Sequence, residues 1–206
     1  MFDEHVDVRQ RPVVGSGVVD PGPPYALMAK RLDHVPDTLG WRLEEPGGRT
    51  MIHDRLEAAG IVGPAVGELH RAGVVEVDGR RVRIEEMSME RRGQVVAFVM
   101  DTRLCDGAFE LAKGADLVVC EATFASAEAD LARRYNHLTA AQAGRIAAEA
   151  GARRLVITHF SQRYPDETIL LEEARAEFDD VIAARDFLRV PVPSRLAADS
   201  KPQEGS

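Results

Sequence analysis

Three short segments of the sequence place a residue able to bind a metal or move a proton at the end of an apolar run. Asp101, Glu121 and His159 each occupy such a position. Short apolar runs that end at turn signals predict buried strands, and side chains at strand ends of layered α/β folds converge in clefts. Histidine and aspartate together suit zinc or manganese. The pattern therefore predicts a site at these strand ends, with metal binding as one possible chemistry.

A fourth candidate, His34, lies on a predicted turn ahead of the strand that contains Trp41. Each candidate also has an ordinary explanation. An Asp after a strand is more often a turn or cap residue, Glu121 could face water, and Arg163 could be a surface cation. His5, His53 and His70 have no accompanying pattern and are interpreted as surface residues, and Cys120 as a small buried hydrophobe. Spacing alone leaves a metal site and a purely structural role both open.

The elements that must position these residues alternate between strand and helix in the second half of the chain. The clearest helix is Ala140–Ala150, with Thr139 as N-cap and Gly151 at the C′ position. Further strands are predicted at 94–100, 115–120, 154–158 and 181–184, and further helices at 108–113, 127–135 and 169–178. This alternation predicts an α/β layered fold.

The first half of the chain shows strand and turn patterns and one irregular segment. Strands are predicted around 13–32 and 40–44, and Val74–Ile84 is predicted to form a hairpin with Asp78-Gly79 as its turn. The glycine-rich segment between them, from Arg49 to about Gly73, has no regular spacing of apolar residues. It is predicted to be an irregular excursion from the core, with one or two helical turns at Asp54–Ala59.

Composition sets limits on the class of protein. The 206 residues are 45% hydrophobic and 29% charged, as in a soluble globular domain. No apolar stretch approaches the roughly 20 residues that cross a bilayer, and the first residues do not resemble a signal peptide, so no membrane association is expected. Two cysteines outside any CxxC pair favour a reducing, cytoplasmic setting. The net charge of −8 offers no global attraction for nucleic acid, so RNA binding would need a local patch, a metal or a partner subunit.

Several motifs in order resemble a known family. They are Asp101-Thr-Arg-Leu-Cys105, Ala115-Asp-Leu-Val-Val-Cys-Glu-Ala-Thr-Phe124, His137-Leu-Thr139 and Leu155-Val-Ile-Thr-His159-Phe-Ser161-Gln-Arg163-Tyr164, preceded by Leu32-Asp-His34-Val-Pro, Gly40-Trp-Arg-Leu-Glu and Gly60-Ile-Val-Gly63-Pro64-Ala-Val-Gly67-Glu-Leu. Together they are similar to the ribonuclease Z branch of the metallo-β-lactamase superfamily. The resemblance runs from about Val13 to Pro191.

The resemblance implies an α/β fold that is the C-terminal portion of a metallo-β-lactamase αββα sandwich. It places the partial domain at residues 1–190, with an inserted tRNA-gripping arm at about 46–72, and a polar tail at 191–206. The implied activity is zinc-dependent removal of the 3′ trailer from precursor tRNA, by a cytoplasmic homodimer. Two Zn²⁺ ions per complete subunit are implied, with Mn²⁺ as a possible substitute.

Roles for individual residues follow from the same resemblance. His34 would bind one metal ion and His159 the other, with Asp101 bridging the two. His137 would act as general acid for the leaving 3′ oxygen, and Glu121 would orient and polarise it. The substrate-binding residues would be Gly63, Pro64 and Gly67 in the arm and Arg163 near the active site.

The sequence also departs from the family. Met100, Cys120 and Leu138 replace residues common there, although none of these changes removes a ligand. The HxHxDH motif, which supplies four of seven expected ligands, does not occur in the 206 residues. We therefore expect this chain alone to be weakly active or inactive and poorly soluble, whether through a start codon placed too late or a truncated gene. The alternatives are another phosphodiesterase or hydrolase of the same fold, and a non-catalytic fragment that dimerises or binds RNA.

Overall fold

The structure is a computed structural model that describes residues 11–22 and 24–194. The surface position predicted for His5 and most of the predicted tail at 191–206 lie outside these residues. Two compact units are present: a sheet unit, formed by the described parts of Met1–Glu44 and Val95–Pro193, and an insert unit, Glu45–Gln94. In the part of the chain described, no helix is long and apolar enough to span a membrane.

The described strands and α-helices occur along the chain in the following order. They are β1 (Gly17–Asp20), β2 (Ala26–Arg31), β3 (Leu39–Glu44), β4 (Gly48–Met51), α1 (His53–Ala58), α2 (Pro64–Ala72), β5 (Val74–Val77), β6 (Arg80–Arg83), α3 (Ile84–Met87), β7 (Ser88–Arg91), β8 (Val95–Val99), α4 (Asp106–Ala112), β9 (Leu117–Glu121), α5 (Ala129–Tyr135), α6 (Ala140–Glu149), β10 (Leu155–Thr158), α7 (Thr168–Glu177) and β11 (Val181–Ala183). The α/β fold class predicted from the sequence is confirmed.

One seven-stranded sheet, in the order β1-β2-β3-β8-β9-β10-β11, organises the sheet unit. Strands β8 to β11 run parallel to one another, whereas β2 is antiparallel to its neighbours β1 and β3, and β3 is antiparallel to β8. Because Trp41 pairs with Phe98 and Glu44 with Val95, β3 begins where β8 ends. The β2–β3 loop, which carries His34, therefore lies at the same sheet edge as the ends of β8, β9 and β10.

The core of the sheet unit lies between the sheet and helices α4, α6 and α7. Its fully buried large side chains include Leu138, Ile146, Leu155, Ile157 and Leu170. Along β8, buried and more exposed residues alternate, as expected of a strand with one face against the helices. On the other face, Phe98 is 43% exposed and borders an apolar cleft with Trp41 and Leu43.

Helix α6 begins and ends as its sequence predicts. The Thr139 hydroxyl accepts a hydrogen bond from the Gln142 backbone N–H at 3.3 Å, and the Gln142 side chain accepts one from the Thr139 N–H at 2.9 Å. This reciprocal capping box satisfies N–H groups at the first turn. Gly151, with a φ of +65°, ends the helical region in the left-handed conformation that suits glycine.

The insert unit has its own small core, formed by Leu56, Ile61, Leu69, Val75, Val82, Ile84 and Met87. The predicted hairpin is confirmed as β5–β6, with its turn at Asp78-Gly79. The predicted irregular excursion is wrong over residues 64–72, where the chain forms α2 with Pro64 in its first turn and Gly73 as a left-handed C-cap. The unit extends to Gln94. The tRNA-gripping arm at about 46–72 stays a prediction.

Helix α6 approaches α7 closely because Gly144 has no side chain. A Cβ atom at this position would lie 2.6 Å from the Ala174 carbonyl oxygen and 2.9 Å from the Glu177 Cβ. Gly144→Ala should push the helices apart and cost about 1–3 kcal/mol, as overpacking does. We expect thermal unfolding followed by circular dichroism to show a melting temperature several degrees lower.

Ala148→Ser, on an exposed position of the same helix, is the control and should change stability by no more than about 0.5 kcal/mol. A Gly144→Ala protein as stable as the wild type would contradict the close helix packing.

Candidate metal and catalytic centre

The ends of three neighbouring parallel strands bring the main candidate residues to one edge of the sheet. Strand β8 ends two residues before Asp101, β9 ends at Glu121, and β10 ends one residue before His159. In parallel strands the carboxyl ends meet at one edge, where ligand sites of α/β folds are usually built. The convergence expected from the sequence is present in the fold.

Asp101, His137 and His159 form a group that could hold a metal ion, since one ligand atom from each lies within 4.8 Å of the others. The His159 Nδ1 lies 3.6 Å from the Asp101 Oδ1, and the His137 and His159 ring centres are 5.2 Å apart. The side chains of Asp101 and His159 are 31% and 45% exposed, so the group opens to solvent on one side. Two imidazoles and a carboxylate are a donor set that suits zinc.

Glu121 is fully buried directly behind this group. Its Oε1 accepts a hydrogen bond from the Thr102 backbone N–H at 2.5 Å. Its Oε2 accepts one from the Thr123 hydroxyl at 2.6 Å and one from the Leu138 N–H at 3.1 Å. Both oxygens lie 3.0 Å from the His137 Nδ1. With donors on every side, the carboxylate can remain buried at an acceptable energetic cost.

The contact with Glu121 determines the acid–base behaviour of His137. The hydrogen bond to Glu121 raises the pKa of His137 above its ordinary value of 6.5, and the negative charges of Glu121 and Asp101 act in the same direction, against the opposing effect of burial. The interaction therefore stabilises the folded chain at low pH, where His137 is protonated. That contribution is lost as the pH rises through the raised pKa.

His34 lies beside this group without belonging to it. Its ring centre is 4.9 Å from that of His137, and its Nδ1 lies 2.9 Å from the carbonyl oxygen of Asn136. A carbonyl only accepts hydrogen bonds, so Nδ1 carries a hydrogen, and in the neutral imidazole Nε2 is the nitrogen with the lone pair. Asn136 ends α5 in the left-handed conformation, which turns its carbonyl towards His34.

The loop that carries His34 is attached to the segment after β8. The Thr102 hydroxyl accepts a hydrogen bond from the Asp33 N–H at 3.0 Å, and the Arg103 N–H donates to the Asp33 carbonyl oxygen at 3.1 Å. An ion pair between Arg103 and the Asp33 carboxylate, at 2.8 Å, adds to these contacts. The positions of His34 and Asp101 are thereby coupled.

The predicted substrate-binding residues fall into two places. Arg163 lies in the sheet unit, with its guanidinium 5.4 Å from the Phe124 ring centre, and that ring contacts His137 edge-on at 6.1 Å. Gly63, Pro64 and Gly67 lie in the insert unit, at the start and in the middle of α2.

Sequence reasoning missed Thr102, Thr123 and Asn136, whose polar groups hold the histidines and Glu121 in place. Thr102 and Thr123 fall inside motifs that carry the family resemblance, next to Asp101 and close to Glu121. That proximity was the available signal. Their neutral side chains gave no indication by themselves of which group each would contact.

Comparison with known proteins gives one domain model and several relatives that the chain resembles. The Beta-lactamase superfamily domain matches residues 70–160, a range that includes Asp101, His137 and His159. The chain is 50% identical over 196 residues to the ribonuclease Z of Nocardia farcinica, covering 94% of this chain and 64% of that protein. It is 54% identical over 170 residues to the ribonuclease Z of Salinispora arenicola, covering 82% and 55%.

A solved structure shares the fold. The short form of human tRNase Z superposes with a TM-score of 0.53 at 22% identity, covering 87% of this chain and 48% of that one. The sheet, the covering helices and the residues at the strand ends define a protein of the metallo-β-lactamase fold. Within that class the chain is similar in sequence to proteins named ribonuclease Z, and it spans 64% of the length of the Nocardia relative.

The raised pKa of His137 can be tested by removing the charge of its partner. Glu121→Gln keeps an oxygen that can accept hydrogen bonds but replaces the carboxylate that favours the imidazolium. We expect the pKa of His137 to fall relative to the wild-type protein. The measurement is an NMR titration of the histidine side chains in metal-free protein.

Glu149→Gln is the control, since Glu149 is an exposed carboxylate that pairs with Arg145 on α6. It should leave the His137 titration unchanged. An unaltered His137 titration in folded Glu121→Gln protein would show that Glu121 does not control this imidazole.

Proposed function

We propose that the protein containing this chain is a zinc-dependent endoribonuclease that removes the 3′ trailer from precursor tRNA. The observation that carries the proposal is the Glu121–His137 pair, set directly beside Asp101 and His159. An orienting carboxylate, an imidazole and a metal-binding group are the components that hydrolysis of a phosphodiester requires. The relatives named ribonuclease Z indicate the substrate.

The donor set fits the proposed metal. Asp101 would bridge two zinc ions, with His34 on one ion and His159 on the other. His34 supports this assignment because its Nδ1–H is engaged by a carbonyl oxygen, which leaves Nε2 free to bind. Bound there, the ions would activate a water molecule and stabilise negative charge at phosphorus, and manganese could substitute for zinc.

His137 would supply the proton to the leaving 3′ oxygen. Its Nδ1 is held by Glu121, so Nε2 is the nitrogen that can deliver a proton. Its raised pKa keeps a larger fraction of the imidazole protonated near neutral pH, which suits a general acid. His137 could instead be a metal ligand, in the group that it forms with Asp101 and His159. The experiment below separates the role of acid from the role of ligand.

RNA binding would depend on local contacts because the net charge of the chain is −8. Arg163, next to Phe124 and close to His137, would contact a phosphate near the cleaved bond. The insert unit would grip the tRNA body, with Gly63, Pro64 and Gly67 letting its backbone approach closely. Its strand β6 carries three exposed arginines, Arg80, Arg81 and Arg83. A cytoplasmic homodimer, in which the arm of one subunit serves the other, completes the proposal.

The roles of the two histidines can be separated in one assay. The chain would be joined to the part of the Nocardia farcinica relative that it does not match, and cleavage of a precursor tRNA with a 3′ trailer measured. His137→Ala should lower the cleavage rate by about 10²–10⁴-fold while zinc content is retained, as expected for loss of a general acid. His159→Ala should lower zinc content and cleavage together.

His53→Ala is the matched control, since His53 is exposed on α1 in the insert unit, and it should cleave normally. Loss of zinc in His137→Ala would assign His137 as a ligand instead of an acid. The 206-residue chain alone should hold less than two zinc ions after dialysis and cleave little RNA. Two tightly held ions per chain would contradict that expectation. They would also contradict the argument that the chain lacks four of the seven expected metal ligands.

A further inference from the structure

We propose that Thr123 is a positioning residue that fixes which nitrogen of His159 is free to bind metal. The relevant contacts run from Glu121 through the Thr123 hydroxyl to the His159 ring. The consequence for metal binding rests on the function proposed above, whereas the hydrogen-bond arrangement itself does not.

The arrangement of hydrogens follows from what each group can donate. The Thr123 hydroxyl lies 2.6 Å from the Glu121 Oε2, and a carboxylate only accepts, so the hydroxyl donates its one hydrogen there. Towards His159 the same oxygen can then only accept. The His159 Nδ1, at 2.8 Å, must therefore carry a hydrogen, so that in the neutral imidazole Nε2 is the nitrogen with the lone pair.

The competing contact of Thr123 is weaker. The His137 Nδ1 lies 3.4 Å from the Thr123 hydroxyl but 3.0 Å from both Glu121 oxygens, so its hydrogen points to the carboxylate. Glu121 thereby sets the tautomer of His137 directly and that of His159 through Thr123. Both imidazoles present Nε2.

Thr123 also holds His159 through its backbone. Its carbonyl oxygen accepts a hydrogen bond from the Ser161 N–H at 3.1 Å, which fixes the loop after β10. Within this loop His159 has a left-handed φ of +59°, an uncommon conformation for a residue with a side chain. Since Thr123 is only 6% exposed, bulk water has little access to replace its hydroxyl.

The hydroxyl and backbone contributions can be separated with Thr123→Val, which keeps the backbone and the branched shape of the side chain. In metal-free 206-residue protein, long-range ¹H–¹⁵N NMR above the ordinary histidine pKa of about 6.5 reports which nitrogen carries the hydrogen. We expect Nδ1–H at His159 in the wild type. Thr123→Val should move the hydrogen wholly or partly to Nε2, and Thr123→Ser should restore it to Nδ1.

Zinc titration of the same proteins gives a second measurement. Thr123→Val should bind zinc about 10–100-fold more weakly, the usual effect of losing a group that orients a metal-binding histidine. Thr123→Ser should bind close to the wild-type affinity. Thr50→Val, on an exposed position of β4 in the insert unit, is the matched control and should change neither measurement.

Two results would overturn the proposal: a wild-type His159 with its hydrogen on Nε2, or a Thr123→Val protein with an unchanged tautomer. Weaker zinc binding with an unchanged tautomer would show a purely structural role. If Thr123→Val does not fold, the wild-type and Thr123→Ser spectra still test the proposal, because a His159 hydrogen on Nε2 in either protein would overturn it. Failure of the chain to act on tRNA would leave these spectra unaffected, so the two proposals fail separately.

Discussion

Burial of the Glu121 carboxylate is the constraint on which the site depends. A fully buried charge without partners would cost several kcal/mol, so the fold must supply donors to both oxygens. These donors come from three segments: Thr102 after β8, Thr123 after β9, and His137 with Leu138 after α5. The requirement to satisfy one carboxylate therefore draws three loops together at the edge of the sheet.

Through Thr102 and Thr123, Glu121 also affects residues that it does not contact. The Thr102 hydroxyl accepts a hydrogen bond from the Asp33 N–H, which attaches the loop carrying His34. Thr123 contacts both the His159 ring and the loop after β10. A substitution at the carboxylate should therefore disturb several candidate ligands at once. Effects of changes at Thr102, Thr123 and His137 should not be additive, because they share one hydrogen-bonded network.

The sequence predicted the parts of the structure that depend on local pattern. Apolar runs ending at Asp101 and His159 predicted strands β8 and β10, and the Thr139 to Gly151 signals predicted α6. Helix α2 escaped prediction because Gly63 and Gly67 resemble loop residues, although the helix is held by packing of Leu69 in the insert core. Thr123 escaped for another reason: a neutral hydroxyl acquires a role only from its neighbours in space. The roles of His34 and His137 came from family resemblance, which local pattern could not supply.

The site is organised from its buried side outward. The Glu121 side chain is fully buried, whereas those of His137 and His159 are 15% and 45% exposed, so the chain covers these side chains less completely towards the open side. Catalytic zinc usually takes three protein ligands per ion. Two ions would need more donors than the four side chains of His34, Asp101, His137 and His159 offer. Under the proposed function, the described residues would therefore hold only part of a two-metal site. The open side, bordered by Asp101 and His159, is where further ligands and the RNA phosphate would have to approach.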